Sequence, residues 1–291
     1  MASTSNTSDL TYMSVAEIAP LIKNGELSPV DLVQSSLARI AQLEPALNAF
    51  LDVWDESATA AALAAETEIS AGKYKGPLHG LPVGLKDLID YAGTPTTGGS
   101  AVVADNIATT DATVVTKLRD SGAIFMGKLN LVEFAFGTTG LNAHTGDVAN
   151  PWGTERITAG SSSGSAAAVA AGMIPIALGT DTGGSVRMPA SLCGIAGLKP
   201  TYGRVSRAGV LDLSWSMDHV GPMTRTTEDC ALLMNVMAGH DPRDPASSNA
   251  EIPDFTTDLF KGLAGLKIGV PTDYFFDDTV DSEVKASVRT A

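Results

Sequence analysis

The chain changes its hydrophobic rhythm near residue 75. Before that point apolar positions recur every three or four residues, the spacing of an amphipathic helix. "DLVQSSLARIAQL" shows it most clearly, and "ESATAAALAAETEISAG" is built from strong helix formers and closes on Gly72. Two helix starts are also marked. Ser14 to Glu17 reads "SVAE", a capping box, and Ser28 to Asp31 reads "SPVD", a capping serine with proline behind it.

Beyond residue 75, short apolar runs bounded by glycine and proline take turns with helical segments. "LPVGLKDL", "AIFMG", "IPIALG" and "GLKIGVP" predict buried strands. "DATVVTKLRDSG", "SAAAVAAG", "TEDCALLMNVMAG" and "DSEVKASVRTA" predict helices. Strand and helix in turn imply an α/β fold with a largely parallel or mixed sheet under helices. We expect one domain overall: a helical N-terminal part over residues 1–75 and an α/β core over residues 76–291. The final helix reaches Ala291 with neither a C-cap glycine nor a following strand. The expectation is therefore the front portion of a longer, C-terminally incomplete core.

Composition narrows the function. A chain of 291 residues, 44% hydrophobic and 18% charged, suits a soluble enzyme-sized protein. Its net charge of −14 argues against unaided binding to nucleic acid or an anionic membrane. Cys193 and Cys230 belong to no CxxC or Cys/His cluster, so no zinc is expected, and two lone thiols suit a reducing, cytoplasmic setting. The N-terminus "MASTSNTSDLTYM" lacks the pattern of a secretory signal. The most apolar stretch, "AAAVAAGMIPIALG", is interrupted by Gly172 and Pro175 and is too short for a membrane span. His79, His144, His219 and His240 share no ligand spacing.

The candidate chemistry lies in "AGSSSGSAAAVAAG", Ala159 to Gly172. Taken alone it admits three readings: a turn whose hydroxyls cap the helix, a G-x-S-x-G nucleophile elbow centred on Ser162, or a phosphate cradle. The elbow needs a preceding strand, whereas "NPWGTERITA" is polar and contains proline. The cradle lacks both a preceding strand and the Lys-Ser/Thr ending of a P-loop.

A second stretch changes the picture: "GTDTGGSVRMPA", Gly179 to Ala190. It follows a predicted strand, at the end where α/β sheets place their sites. Thr182, Gly183, Gly184 and Ser185 would form a tight turn of backbone N–H donors, with Ser185 placed to attack a carbonyl whose oxygen meets those donors.

Together these blocks resemble the amidase signature enzymes, which use a Ser–cis-Ser–Lys triad. The resemblance extends through "GLKDLI", "DATVVTKLRDSGAIFMGKLNLVEFAFGTTG", "GIAGLKPTYGRVSRAGV" and "DHVGPMTRTTEDCALLM", nearly the whole chain. It implies that Ser185 is the acylated nucleophile, that Ser161, after a cis peptide, is the bridging serine, and that Lys86 is the terminal base. Ser162, Ser163 and Ser165 would then cap and brace. The implied reaction is hydrolysis of a carboxamide to carboxylate and ammonia or amine, with no metal and no organic cofactor. Lysine has a reference pKa of about 10.4, so Lys86 must be desolvated to act near neutrality.

Other residues carry smaller expectations. Asp87 should point to the face opposite Lys86. Asp181 and Arg187 read as a buried ion pair bracing the turn, Cys193 as core, and Met188 as either core or acyl-pocket wall. The leading function is a free amidase acting on a small amide. The alternatives are the glutaminase subunit of a tRNA-dependent amidotransferase and an inactive truncated fragment. "GLNAHTGDVANPWGTERITAG" departs from that subunit's usual form, which has a proline and more glycine there. A homodimer or amidotransferase partner subunits remain the candidate assemblies, and the amide itself is open.

Overall fold

Local capping starts the first helices where the sequence predicts them. Ser14 accepts from the Glu17 N–H, and the Glu17 carboxylate accepts from the Ser14 N–H, which completes the capping box ahead of α1 (Val15–Lys23). Ser28 caps α2 (Pro29–Leu47), with Pro29 at its first position. The structure, a computed structural model, describes residues 10–271 and 273–291, in two compact units that divide after Thr256.

The rest of the first unit alternates strand and helix. β1 (Phe50–Val53) and α3 (Asp55–Ser70) come first, then β2 (Pro82–Lys86), α4 (Thr113–Asp120) and β3 (Ile124–Leu129). β4 (Ala149–Asn150) and β5 (Gly153–Ile157) form a separate hairpin. α5 (Ser163–Ala170), β6 (Ile176–Asp181), α6 (Arg187–Cys193), β7 (Ala196–Gly197), β8 (His219–Thr224) and α7 (Thr227–Met237) follow. The main sheet runs β1-β3-β2-β6-β8-β7, a mixed α/β arrangement with six strands. β2 is parallel to both β3 and β6, while β1 and β8 join antiparallel.

Side chains alternate across this sheet, so each face has its own core. Val83, Leu85, Ile176 and Leu178 pack with residues of α1, α4 and α7. Ile124, Met126 and Ala177 pack with α2, α3 and α5 on the other face. Gly84 belongs to this second face, where Leu129 and Ile174 leave no room for a Cβ. The same period of two sends Lys86 to the Gly84 side. The register that sets Leu85 opposite Leu178 brings the C-terminal ends of β2 and β6 to one edge of the sheet.

Helix α5 carries the serine block, and its small residues let it lie close to the sheet. A Cβ at Gly164 would stand 2.3 Å from the Ala49 carbonyl oxygen and 2.6 Å from the backbone of Asn130. The far end of α5 is held by two arginines: Arg225 donates to the Val169 carbonyl at 3.1 Å and Arg39 to the Ala171 carbonyl at 3.1 Å. Cations at a helix C-terminus also meet its macrodipole favourably.

Several elements differ from what the sequence pattern predicts, β7 and β8 among them. "FLDV" in the helical N-terminal part is a strand, because β3 offers it an edge. "NPWGTERITA" contains the β4–β5 hairpin despite its polarity, and its exposed positions explain that polarity. "GLKIGVP", in the second unit, forms no strand; Ile268 and Val270 lie exposed with no strand partner among the described residues. That unit contains α8 (Ser282–Thr290), capped by Asp281.

The close approach at α5 gives a stability test. Gly164→Ala should lower the free energy of urea unfolding by about 1–3 kcal/mol, the usual range for overpacking. Unchanged stability would show that α5 does not sit against Ala49 and Asn130.

Candidate active site

Lys86 ends β2 fully buried, and its amine meets three hydroxyls. Nζ lies 2.7 Å from Ser161 Oγ, 2.8 Å from Thr180 Oγ1 and 3.0 Å from Ser162 Oγ. None of the three carries a charge. Burial therefore pushes the Lys86 amine down to about 7, against the upward pull of the Asp181 and Asp218 carboxylates.

A second buried lysine shows what distinguishes this environment. Lys128 of β3 donates to the Ile89 carbonyl at 2.7 Å and Thr96 Oγ1 at 2.9 Å, and it also pairs with Asp87 at 3.4 Å. Burial lowers its pKa as well, while Asp87 favours its charged form. Asp87 faces away from Lys86, as the strand period requires, and also accepts from the N–H and hydroxyl of Thr97. Lys128 is thus a paired structural cation; Lys86 has only hydroxyls in contact.

Ser161 reaches Lys86 through an unusual backbone. Ala159 is left-handed (φ 60) and the Gly160–Ser161 peptide is cis. Gly160 admits no side chain, because a Cβ would stand 2.6 Å from Val132. The Ser162 N–H donates to the Ser185 carbonyl at 3.2 Å, which fastens the two serine loops together. Ser162 Oγ also donates to the Thr180 carbonyl at 3.2 Å, and Ser165 Oγ donates to the Leu178 carbonyl at 2.9 Å.

The extra serines therefore brace the sheet rather than cap. No side-chain capping bond is made at the start of α5, and Ser163 Oγ has no partner among the described residues. Ser162 is too enclosed to serve as an elbow nucleophile. The loop is no phosphate cradle either, since the N–H groups of Ser162 and Gly164 already donate to Ser185 and Asn130.

The Ser185 turn is organised from behind by Asp181. This buried carboxylate accepts from the N–H groups of Gly184 (2.8 Å), Val186 (3.1 Å) and Arg187 (3.3 Å), and from the Arg187 guanidinium at 2.9 Å. Burial alone would raise the Asp181 pKa, but Arg187 and the backbone donors outweigh it and hold it low. The expected ion pair is present, with the arginine half exposed. One expectation changes. Gly184 N–H is engaged by Asp181, whereas Thr182, Gly183 and Ser185 line a cleft.

That cleft, of about 400 Å³, is lined by Phe136, Thr182, Gly183, Ser185, Met188 and Leu213 among others. Met188 is half-buried and lines this cleft. Cys193 is core: burial pushes its thiol up to about 12. Thr180, inside β6, escapes detection in the sequence because an isolated threonine carries no motif, and Asp218 offers itself there only as a nominal acid partner for the elbow reading. Among the described residues no His/Cys/Asp/Glu cluster could hold a metal, and no helix is long and apolar enough to cross a membrane.

A family model described as Amidase matches residues 31–291. The chain belongs to the amidase signature family. It is 48% identical over 283 residues to a glutamyl-tRNA(Gln) amidotransferase subunit from Chloroflexus aggregans, covering 97% of this chain and 58% of that protein. The native peptide amidase of Stenotrophomonas maltophilia superposes with a TM-score of 0.80 at 39% identity, over 84% of this chain and 52% of that one. A structure from a vestigial complex tied to the origins of an s-triazine catabolic enzyme gives 0.91 at 40% identity, over 96% and 61%. The chain therefore spans a little over half the length of the relatives it matches.

The hydroxyl shell predicts a measurable cost. Thr180→Val keeps the shape but removes a partner of Lys86, and should cost about 1–3 kcal/mol in urea unfolding, the penalty for an orphaned buried donor. Unchanged stability would mean that Thr180 does not hold the amine.

Proposed function

We propose that the protein is an amidase that hydrolyses a carboxamide through a seryl acyl-enzyme, with Ser185 as nucleophile, Ser161 as relay and Lys86 as base. The observation that carries this reading is the uncharged shell around Lys86. An amine near its neutral point, 2.7 Å from Ser161 Oγ, is placed to take a proton.

Ser185 Oγ attacks the amide carbon while its proton passes to Ser161 and the Ser161 proton passes to neutral Lys86. The carbonyl oxygen becomes an oxyanion facing the N–H groups of Thr182, Gly183 and Ser185. Lys86 then returns a proton through Ser161 to the leaving nitrogen, and the C–N bond breaks. Water gives its proton to the same relay, attacks the ester and releases the carboxylate, and the proton returns to Ser185 Oγ.

A second reading is favoured by the amidotransferase relatives: the chain would act as the glutamine-hydrolysing subunit of an amidotransferase and release ammonia to partner subunits. The peptide amidase match supports the free amidase instead. Burial also pushes the Cys230 thiol up to about 11, so both cysteines are inert core groups. That accords with a reducing, cytoplasmic setting.

The test is ammonia release from glutamine and a panel of small carboxamides, with and without amidotransferase partner subunits. Ser185→Ala should abolish turnover. Lys86→Ala should lower it by roughly 10²–10⁴, the usual contribution of a general base. Because the base must be neutral, kcat/KM should fall as pH drops through about 7 and level off above it. Turnover in Lys86→Ala equal to the unsubstituted chain across this range would contradict the assignment.

A further inference from the structure

Asp218 stands immediately before β8, and none of the proposed catalytic steps uses it. It is buried, and its carboxylate gathers two separate segments. Oδ2 accepts from the N–H groups of Leu213 at 2.8 Å and Ser214 at 2.9 Å. Oδ1 accepts from the Thr182 hydroxyl. Leu213 and Thr182 both line the cleft beside Ser185. β8 pairs with β6 through His219 and Asp181, so Asp218 sits next to the start of the Ser185 turn.

We propose that Asp218 is a positioning residue of the amide-cleaving site: its carboxylate fastens the Leu213–Ser214 strap to Thr182 and so holds the cleft wall and the oxyanion turn in one geometry. The inference rests on the reading of the site given above. Charged hydrogen bonds of this kind are about twice as strong as neutral ones, and three of them converge on one group. An asparagine here can keep both N–H bonds at its Oδ1 and donate its NH2 to the Thr182 hydroxyl, so Asp218→Asn removes the charge alone, whereas Asp218→Ala removes the bridge as well.

The same charge reaches the base. Asp181 and Asp218 are the two carboxylates that favour the ammonium form of Lys86, while the groups touching its amine, Ser161, Ser162 and Thr180, are uncharged. Removing the charge at 218 should therefore move the titration of Lys86 to lower pH. Loss of a purely mechanical brace would leave it in place.

The test follows the rate at which a fluorophosphonate labels Ser185, located by peptide mapping, as a function of pH. Asp218→Ala and Thr182→Val should each slow labelling about 10- to 100-fold, the effect of a small misplacement of reacting groups. The double variant should be no slower than the slower single one, because both remove the same bridge. Asp218→Ala and Asp218→Asn should both move the acid limb to lower pH, and Thr182→Val should not. Amide hydrogen exchange should also quicken at Leu213 and Ser214 in Asp218→Ala. If the unsubstituted chain is not labelled at Ser185, the reading of the site fails and this inference falls with it. Labelling of the unsubstituted chain with undiminished rates in both single variants, additive losses in the double variant, or an unmoved acid limb would overturn the inference alone.

Discussion

The site depends on the cost of keeping a charge on Lys86 away from water. An ammonium buried without a carboxylate partner loses its hydration and gains little in return, so the amine prefers to be neutral. The fall from 10.5 to about 7 brings the neutral form within reach at neutral pH. The packing and the groups in contact with Lys86 serve that preference. The parallel pairing of β2 and β6 brings the amine to the end of the sheet, the small residues of α5 let the serine block close over it, and hydroxyls satisfy its hydrogen bonds without adding charge. Burial also lowers the pKa of Lys128, on the adjacent strand, but there a carboxylate at 3.4 Å opposes the shift from within contact.

The second constraint is the division of labour between the two loops. Asp181 draws in the N–H groups of Gly184, Val186 and Arg187, and Ser185 in the turn so held lines the cleft. The serine block supplies Ser161 by way of a cis peptide and binds the Ser185 carbonyl through Ser162. Neither loop makes a site alone. This is why the serine block, read by itself, admits a cap, an elbow or a cradle, and why only the pair of blocks points to amide chemistry.

Much of this is legible in the sequence. Capping residues mark α1, α2 and α7, and apolar runs mark β2, β3 and β6, because these features are local. The three residues assigned to the triad lie in blocks whose composition is unusual enough to be recognised, and the structure brings Lys86 and Ser161 into contact. What the sequence hides depends on distant partners. β1 is half exposed and forms because β3 offers an edge. β8 contains Gly221 and Pro222, which break the strand pattern, yet it pairs along the length of β6. Thr180 and Asp218 gain their importance only from what the fold sets beside them. The mistaken strand "GLKIGVP" has the right local pattern and no partner among the described residues.

The central claim concerns the protonation of one amine, and it can be observed directly. Selective ¹⁵N labelling of lysine, with Lys86→Arg to assign the signal, would follow its Nζ resonance through a pH titration. The account predicts a midpoint near 7 with the neutral form above it. A midpoint above about 9, close to that of a solvated lysine, would show that Lys86 keeps its charge and that the hydroxyl shell does not prepare a base.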